Sequence, residues 1–160
     1  FGKAIQDPKP VQPSGPPLWV GGRGDPALRR TVRHGHGFFP LFFSPSQYQK
    51  ACSRLEELAA EMHRDPSGIT RALTIFISIG KTRQAALQMM GESIGVDYNL
   101  REDQVERLNV IGTASEVTEQ LQAYIEAGVE HLAIAFGCPY DEVAGQLEIL
   151  GTEVLPHLHR

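Results

Sequence analysis

Two capping boxes constrain this chain more than any other feature. In Ser44-Pro45-Ser46-Gln47 and in Thr113-Ala114-Ser115-Glu116, a hydroxyl residue stands three positions before a Gln or Glu. In that pattern, side chain and backbone satisfy each other's donors at the start of a helix. Behind the first box, Tyr48, Ala51, Cys52, Leu55, Leu58, Ala59 and Met62 recur at helical spacing, which predicts an amphipathic helix. Behind the second, Val117, Leu121, Tyr124 and Ile125 form the apolar stripe, and Gly128 supplies a C-cap. Asp25-Pro26 predicts a further start, with Asp25 as N-cap and Pro26 as the first helical residue; that helix runs to about His34 and stops at Gly35.

Between these helices lie short apolar runs: Leu18-Trp19-Val20, Phe38 to Phe43, Leu73 to Ile79 and His131 to Phe136. They are short for helices and rich in aromatic or β-branched residues, so they read as buried strands. Helical patterns also cover Gln84 to Ile94, Glu102 to Leu108, and a last segment carrying Val143, Leu147, Leu150 and Val154. The expected order is β-α-β-α-β-α-α-β-α, with four strands. Such alternation predicts an α/β fold with a parallel sheet covered by helices. A doubly wound sheet and a section of a barrel both satisfy the pattern. Residues 1–17 hold five prolines, so they are expected to form an extended leader ahead of the folded unit at 18–160.

Hydrophobic residues make up 41% and charged residues 21%, with a formal charge of −4 and no Lys/Arg run. This argues against a nucleic-acid or anionic-membrane partner, and no apolar run is long enough to span a bilayer. Cys52 and Cys138 form neither a disulfide framework nor a ligand cluster, so both read as reduced packing residues and the expected location is cytoplasmic.

The candidate chemistry lies in Gly21-Gly22-Arg23-Gly24, between the first strand and the first helix. In a parallel α/β fold that junction is at the C-terminal edge of the sheet, where ligands bind. Glycines permit close backbone approach, free N–H groups and the helix dipole attract an anion, and Arg23 can add a charged fork. A plain tight turn with an exposed arginine is the alternative. Gly22-x-Gly24-x-x-Ala27 also matches a dinucleotide fingerprint, but the second strand ends in Phe42-Phe43-Ser44 without the carboxylate that would hold a ribose. His34-x-His36 has an alternate spacing suited to a metal, yet no third ligand is near in sequence, so the expectation is no metal site. Phe38, Phe39, Phe42 and Phe43 suit either core packing or an apolar pocket wall. No nucleophile–base pair is evident, so no residue is singled out as catalytic.

Taken together, Pro8-Lys9-Pro10-Val11-Gln12-Pro13, Pro16-Pro17-Leu18-Trp19-Val20-Gly21-Gly22, Ala27-Leu28-Arg29-Arg30 and His34-Gly35-His36-Gly37-Phe38 closely resemble the middle of luciferase-like oxidoreductases. Ile111 to Val117, with Ala127-Gly128-Val129 and Leu132, is similar to that family's last helix–strand unit. The family commonly carries Asp-Gly-Trp where this chain has His36-Gly37-Phe38. The resemblance implies a (β/α)8 barrel that uses reduced FMN or the deazaflavin F420, in monooxygenation or hydride transfer. The four strands here would be the fifth to eighth, half of a TIM-type barrel. It also implies that Gly21, Gly22, Arg23, Gly24 and Ala27 approach the cofactor phosphate.

Four strands cannot close a barrel of normal size. The half-barrel is therefore expected to leave two open edges and to expose Val20, Ile75, Ile77 and Ile134 on its inner face. A homodimer that completes eight strands is the expected remedy. The chain starts at Phe1, so it reads either as a natural half-barrel or as a piece of a longer enzyme. A non-catalytic dimeric or ligand-binding half-barrel remains the alternative function.

Overall fold

The computed structural model describes residues 2, 5 and 7–159; part of the expected leader (residues 1, 3, 4 and 6) lies outside the described residues. Residues 7–17 contain bends and a turn closed by Gly15 N–H on Gln12 C=O, and neither helix nor strand. The order that follows is β1 (Trp19–Val20), α1 (Asp25–His34), β2 (Gly37–Phe38), α2 (Pro45–Glu61), β3 (Thr70–Ile79), α3 (Arg83–Met90), α4 (Glu102–Leu108), β4 (Val110–Gly112), α5 (Ala114–Glu126), β5 (His131–Phe136) and α6 (Val143–Ile149). A π-helical turn, Gly91–Gly95, extends α3, and another, Leu150–Val154, extends α6.

Every strand pairing is parallel. The ladder alternates about β3. The N–H groups of Thr70, Thr74 and Gly80 bond His36, Pro40 and Gly112, so one edge of β3 serves β2 and then β4, end to end. Odd-numbered residues face the other edge, where the carbonyls of Arg71 and Ile77 accept from Glu130 and Gly137 at the two ends of β5. Strands β1, β4 and β5 each pair on one side only.

Two sequence expectations are corrected here. The sheet has five strands, because Val110–Gly112 forms β4, a run too short to signal itself between two helices. The run Phe38 to Phe43 keeps only Gly37–Phe38 as strand, plus an isolated bridge from Leu41 to Thr74; Pro40 lacks an N–H for a continuous ladder.

Side chains leave the sheet in two directions. Leu73, Ile75, Ile77 and Ile79 enter the core beneath α2 and α5, with Tyr48, Leu55, Leu58, Val117 and Leu121. Ile75 and Ile77 are thus buried against helices, not exposed on an inner face as expected; strand parity, which the sequence run does not mark, decides this. Each such aliphatic chain contributes about 1.5–3 kcal/mol on burial. Ile134 and Phe136 of β5 pack against the same core but stay half-buried, because nothing continues the sheet beyond them. The opposite face carries Phe76, which meets Met90, Ile94, Val105 and Ile111 from the α3–α4 segment and β4. Of the stripe expected on the last helix, Leu150 and Val154 are buried, whereas Leu147 is exposed.

Both capping boxes form as read from sequence. The N-cap of α1 is instead Gly24, and Asp25 is the first helical residue. Long-range side chains lock the remaining ends. The Arg64 guanidinium donates to the carbonyls of Thr31, Val32 and Gly35, closing the C-terminus of α1. The Tyr124 hydroxyl donates to Phe43 C=O at 2.8 Å, tying α5 to the loop after β2.

Burial pushes the Tyr124 phenol up to about 12. A folded value above the ordinary phenol value of about 10 stabilises the fold fully below that pH, and the contribution is lost as pH rises through about 12. Urea denaturation between pH 9 and pH 12 should record a loss of about 2–3 kcal/mol from this group. In Tyr124→Phe the decline should be shallower.

Candidate functional site

The glycine turn leaves β1 at the C-terminal edge of the sheet and enters α1 at once. Gly22 has φ +115°, a region that only glycine occupies cheaply, and a Cβ there would lie 2.9 Å from Ala27 Cβ. The turn can therefore fold flat against the first turn of α1 only with glycine at this position. Gly24 C=O accepts the N–H groups of Ala27 and Leu28 at 2.8 and 3.3 Å, while Pro26 has no N–H to offer. The N–H groups of Gly22, Arg23 and Gly24 take no part in backbone turn or cap bonds among the described residues. They lie at the positive end of the α1 dipole.

Charge around the turn is divided between two roles. Asp25 accepts Arg54 Nε at 3.3 Å and Nη2 at 3.2 Å, with Arg29 at 3.6 Å. The Arg54 hydrogen bond holds this carboxyl below the usual carboxylate range and ties α1 to α2. Arg23 pairs with no carboxylate among the described residues; its guanidinium carbon lies 4.9 Å from the Phe43 ring centroid. Arg23, Leu28, Phe43, Gln47 and Lys50 line an open cleft of about 550 Å³ beside the turn. Because Asp25 is engaged by two arginines, the charges left to this cleft are the cations Arg23 and Lys50.

The structure brings Gly22, Arg23, Gly24 and Ala27 together at the start of α1. Gly21 stands one step back, where a Cβ would be 3.4 Å from Phe39 C=O. Lys50 and Arg54 were not singled out from sequence, and Gln47 was read only as the end of a capping box; all three approach from α2, and no local spacing relates them to the turn. A larger cleft of about 840 Å³ lies among α3, α5 and α6, and a smaller one of about 470 Å³ lies between α3 and α4.

The other candidates separate. His36 Nδ1 accepts Leu18 N–H at 3.0 Å, while the phenylalanine group divides three ways. Phe38 and Phe43 pack with Tyr48 in the core. Phe39 meets Trp19. Phe42, at φ 59°, stacks on Phe76 and meets the edge of Tyr98. Burial pushes both cysteine thiols up, so neither is an activated nucleophile.

Fold and site together define a parallel α/β sheet covered by helices, with a glycine turn at its strand ends. The sequence pattern of the family described as luciferase-like monooxygenase matches residues 3–99. The chain belongs to that family. A phthiodiolone/phenolphthiodiolone dimycocerosates ketoreductase of Mycobacterium sp. (strain JLS) is 32% identical over 82 residues, 51% of this chain and 22% of that protein.

Among solved structures, an F420-dependent secondary alcohol dehydrogenase in complex with an F420–acetone adduct superposes with a TM-score of 0.82 at 22% identity, over 99% of this chain and 53% of its own. The coenzyme F420-dependent tetrahydromethanopterin reductase of Methanopyrus kandleri gives 0.67 at 22% identity, over 89% and 51%. The oxygenating constituent of 3,6-diketocamphane monooxygenase from Pseudomonas putida, in complex with FMN, gives 0.59 at 18% identity, over 88% and 48%. The chain therefore spans about half the length of the solved structures it matches. No helix among the described residues is long and apolar enough to cross a membrane.

Proposed function

We propose that this chain is the C-terminal half-barrel of a luciferase-like oxidoreductase, and that its glycine turn holds the phosphate of FMN or F420. One observation carries the reading: Gly22 is held at φ +115° with no room for a Cβ, which leaves the turn's N–H groups open beside Arg23. A phosphate fits this donor set, since it accepts several N–H bonds and is drawn by a helix dipole and a guanidinium. Gly22, Arg23 and Gly24 would donate to it, Gly21 and Ala27 would shape the turn, and Arg54 would keep Asp25 from repelling it. When bound, the reduced cofactor supplies hydride or reacts with oxygen; the protein binds, orients and excludes water. A cytoplasmic setting belongs to this reading.

The open edges of β1 and β5 support a second part of the proposal, a homodimer in which two copies supply the eight strands of a barrel. Titration with FMN and with F420, followed by absorbance, tests the cofactor site: one of them should bind. If neither binds, the oxidoreductase reading falls and a non-catalytic half-barrel replaces it. Light scattering tests the assembly, and a mass of 17.6 kDa at every concentration refutes the dimer.

A further inference from the structure

We infer that the cleft between α1 and α2 holds a second anionic group of the ligand whose phosphate sits at the glycine turn, which selects F420 over FMN. This rests on the phosphate reading above and extends it beyond the turn. In FMN the phosphate is terminal. In F420 it is a diester that continues into a chain of glutamates, whose carboxylates are ionised at neutral pH.

The lining of this cleft of about 550 Å³ extends from Arg23 and Asp25 at the turn to Gln47 and Lys50 on α2. Its walls are consecutive elements of this chain: α1 on one side, α2 and the loop after β2 on the other. The Asp25–Arg54 and Arg29–Glu61 pairs hold the two helices together beside it. Helix α1 follows β1, and α2 follows β2, which lies between β1 and β3. The cleft is therefore set away from the unpaired side of β1.

The charge left in the cleft is positive. Its one carboxylate, Asp25, is bound by Arg54 and Arg29, while neither Arg23 nor Lys50 pairs with a carboxylate among the described residues. Both helices start here, so the positive ends of two dipoles add to the field, and α2 has no acidic residue in its first turn. Lys50 lies in the second turn of α2, four residues before Arg54. Two cations on one face near a helix start are unfavourable for the helix itself, and an anion in the cleft offsets that. Arg23 is ordered for the same task. Its guanidinium carbon lies 4.9 Å from the centroid of Phe43, a buried ring fixed by Phe38 and Tyr48. A guanidinium stacked on a fixed ring is pre-organised and loses little freedom on binding. The turn's N–H groups and Arg23 answer one phosphate; Lys50, on another helix, is left for a carboxylate further along the ligand. Gln47 Oε1 accepts Ser44 N–H at 3.0 Å, and its amide N–H groups meet no acceptor among the described residues.

Dissociation constants from fluorescence titration test this with three probes: F420 carrying its glutamates, the glutamate-free form of F420, and FMN. The tailed cofactor should bind about tenfold or more tighter than the glutamate-free form, and added salt should narrow the gap. Lys50 is exposed, so its replacement leaves the core untouched. In Lys50→Glu the gap should shrink to about twofold or less. Equal affinity for the tailed and glutamate-free forms, tighter binding of FMN, or an unchanged gap in Lys50→Glu overturns the inference and leaves the phosphate reading standing. If none of the three probes binds, both fall.

Discussion

Gly22→Val should unfold at a lower urea concentration than the parent and lose most of its affinity for FMN or F420. The turn at φ +115° is strained for any residue with a Cβ, which costs about 1–3 kcal/mol. The new side chain would also press on Ala27, whose Cβ lies 2.9 Å from the position a Cβ would take. Overpacking of that kind costs about another 1–3 kcal/mol. Relief requires the turn to swing away from α1, and that removes the N–H groups from the helix end. The affinity loss should be at least about tenfold, or 1.4 kcal/mol.

Gly24→Ala is the matched control. Gly24 has φ −108° as N-cap, and a Cβ there would meet only Pro26 Cδ at 3.6 Å. It should cost less than about 1 kcal/mol and leave binding nearly intact. Equal affinity in Gly22→Val and the parent would remove the phosphate from this turn.

Gln146→Leu should be strongly destabilising although it lies outside the site. Beyond Phe136, β5 no longer pairs with β3, and Ile79 would be left with an N–H and a C=O facing no strand. The Gln146 side-chain amide takes the place of the missing strand, accepting from Ile79 N–H at 2.8 Å and donating to its C=O at 2.7 Å. Both residues are buried, at 4% and 3% exposure. Leucine preserves volume but orphans two buried backbone groups at about 1–3 kcal/mol each, so a loss of about 2–5 kcal/mol is expected. The urea midpoint should fall with an unchanged m-value, because the surface exposed on unfolding stays the same. A loss under about 1 kcal/mol would mean that water or a shifted α6 replaces the amide.

Part of the site was legible because its geometry is local. A strand, two glycines and a Pro-started helix within ten residues can meet in few ways, and the turn lies where that pattern puts it. The cleft beside it was not legible. Lys50 and Gln47 approach from α2, and Arg54 reaches Asp25 across 29 positions of sequence. Asp25 itself shows the limit of local reading. Its type suits an N-cap, yet Gly24 takes that place, and the carboxylate is committed to two arginines instead.

The same division runs through the fold. By itself, the sequence determined the helices and their starts, since Ser44 with Gln47 and Thr113 with Glu116 close hydrogen bonds within three residues. It also determined β3, whose run from Leu73 to Ile79 is rich in β-branched residues. Tertiary structure alone decided which side of β3 faces the helices, that Val110–Gly112 pairs beyond the end of β2, and that Trp19 spans the sheet to His131. The physical reason is range. A cap or a turn selects its partner from the nearest few residues, whereas a strand edge or an exposed ring is satisfied by whatever the rest of the chain, or a second copy, brings to it.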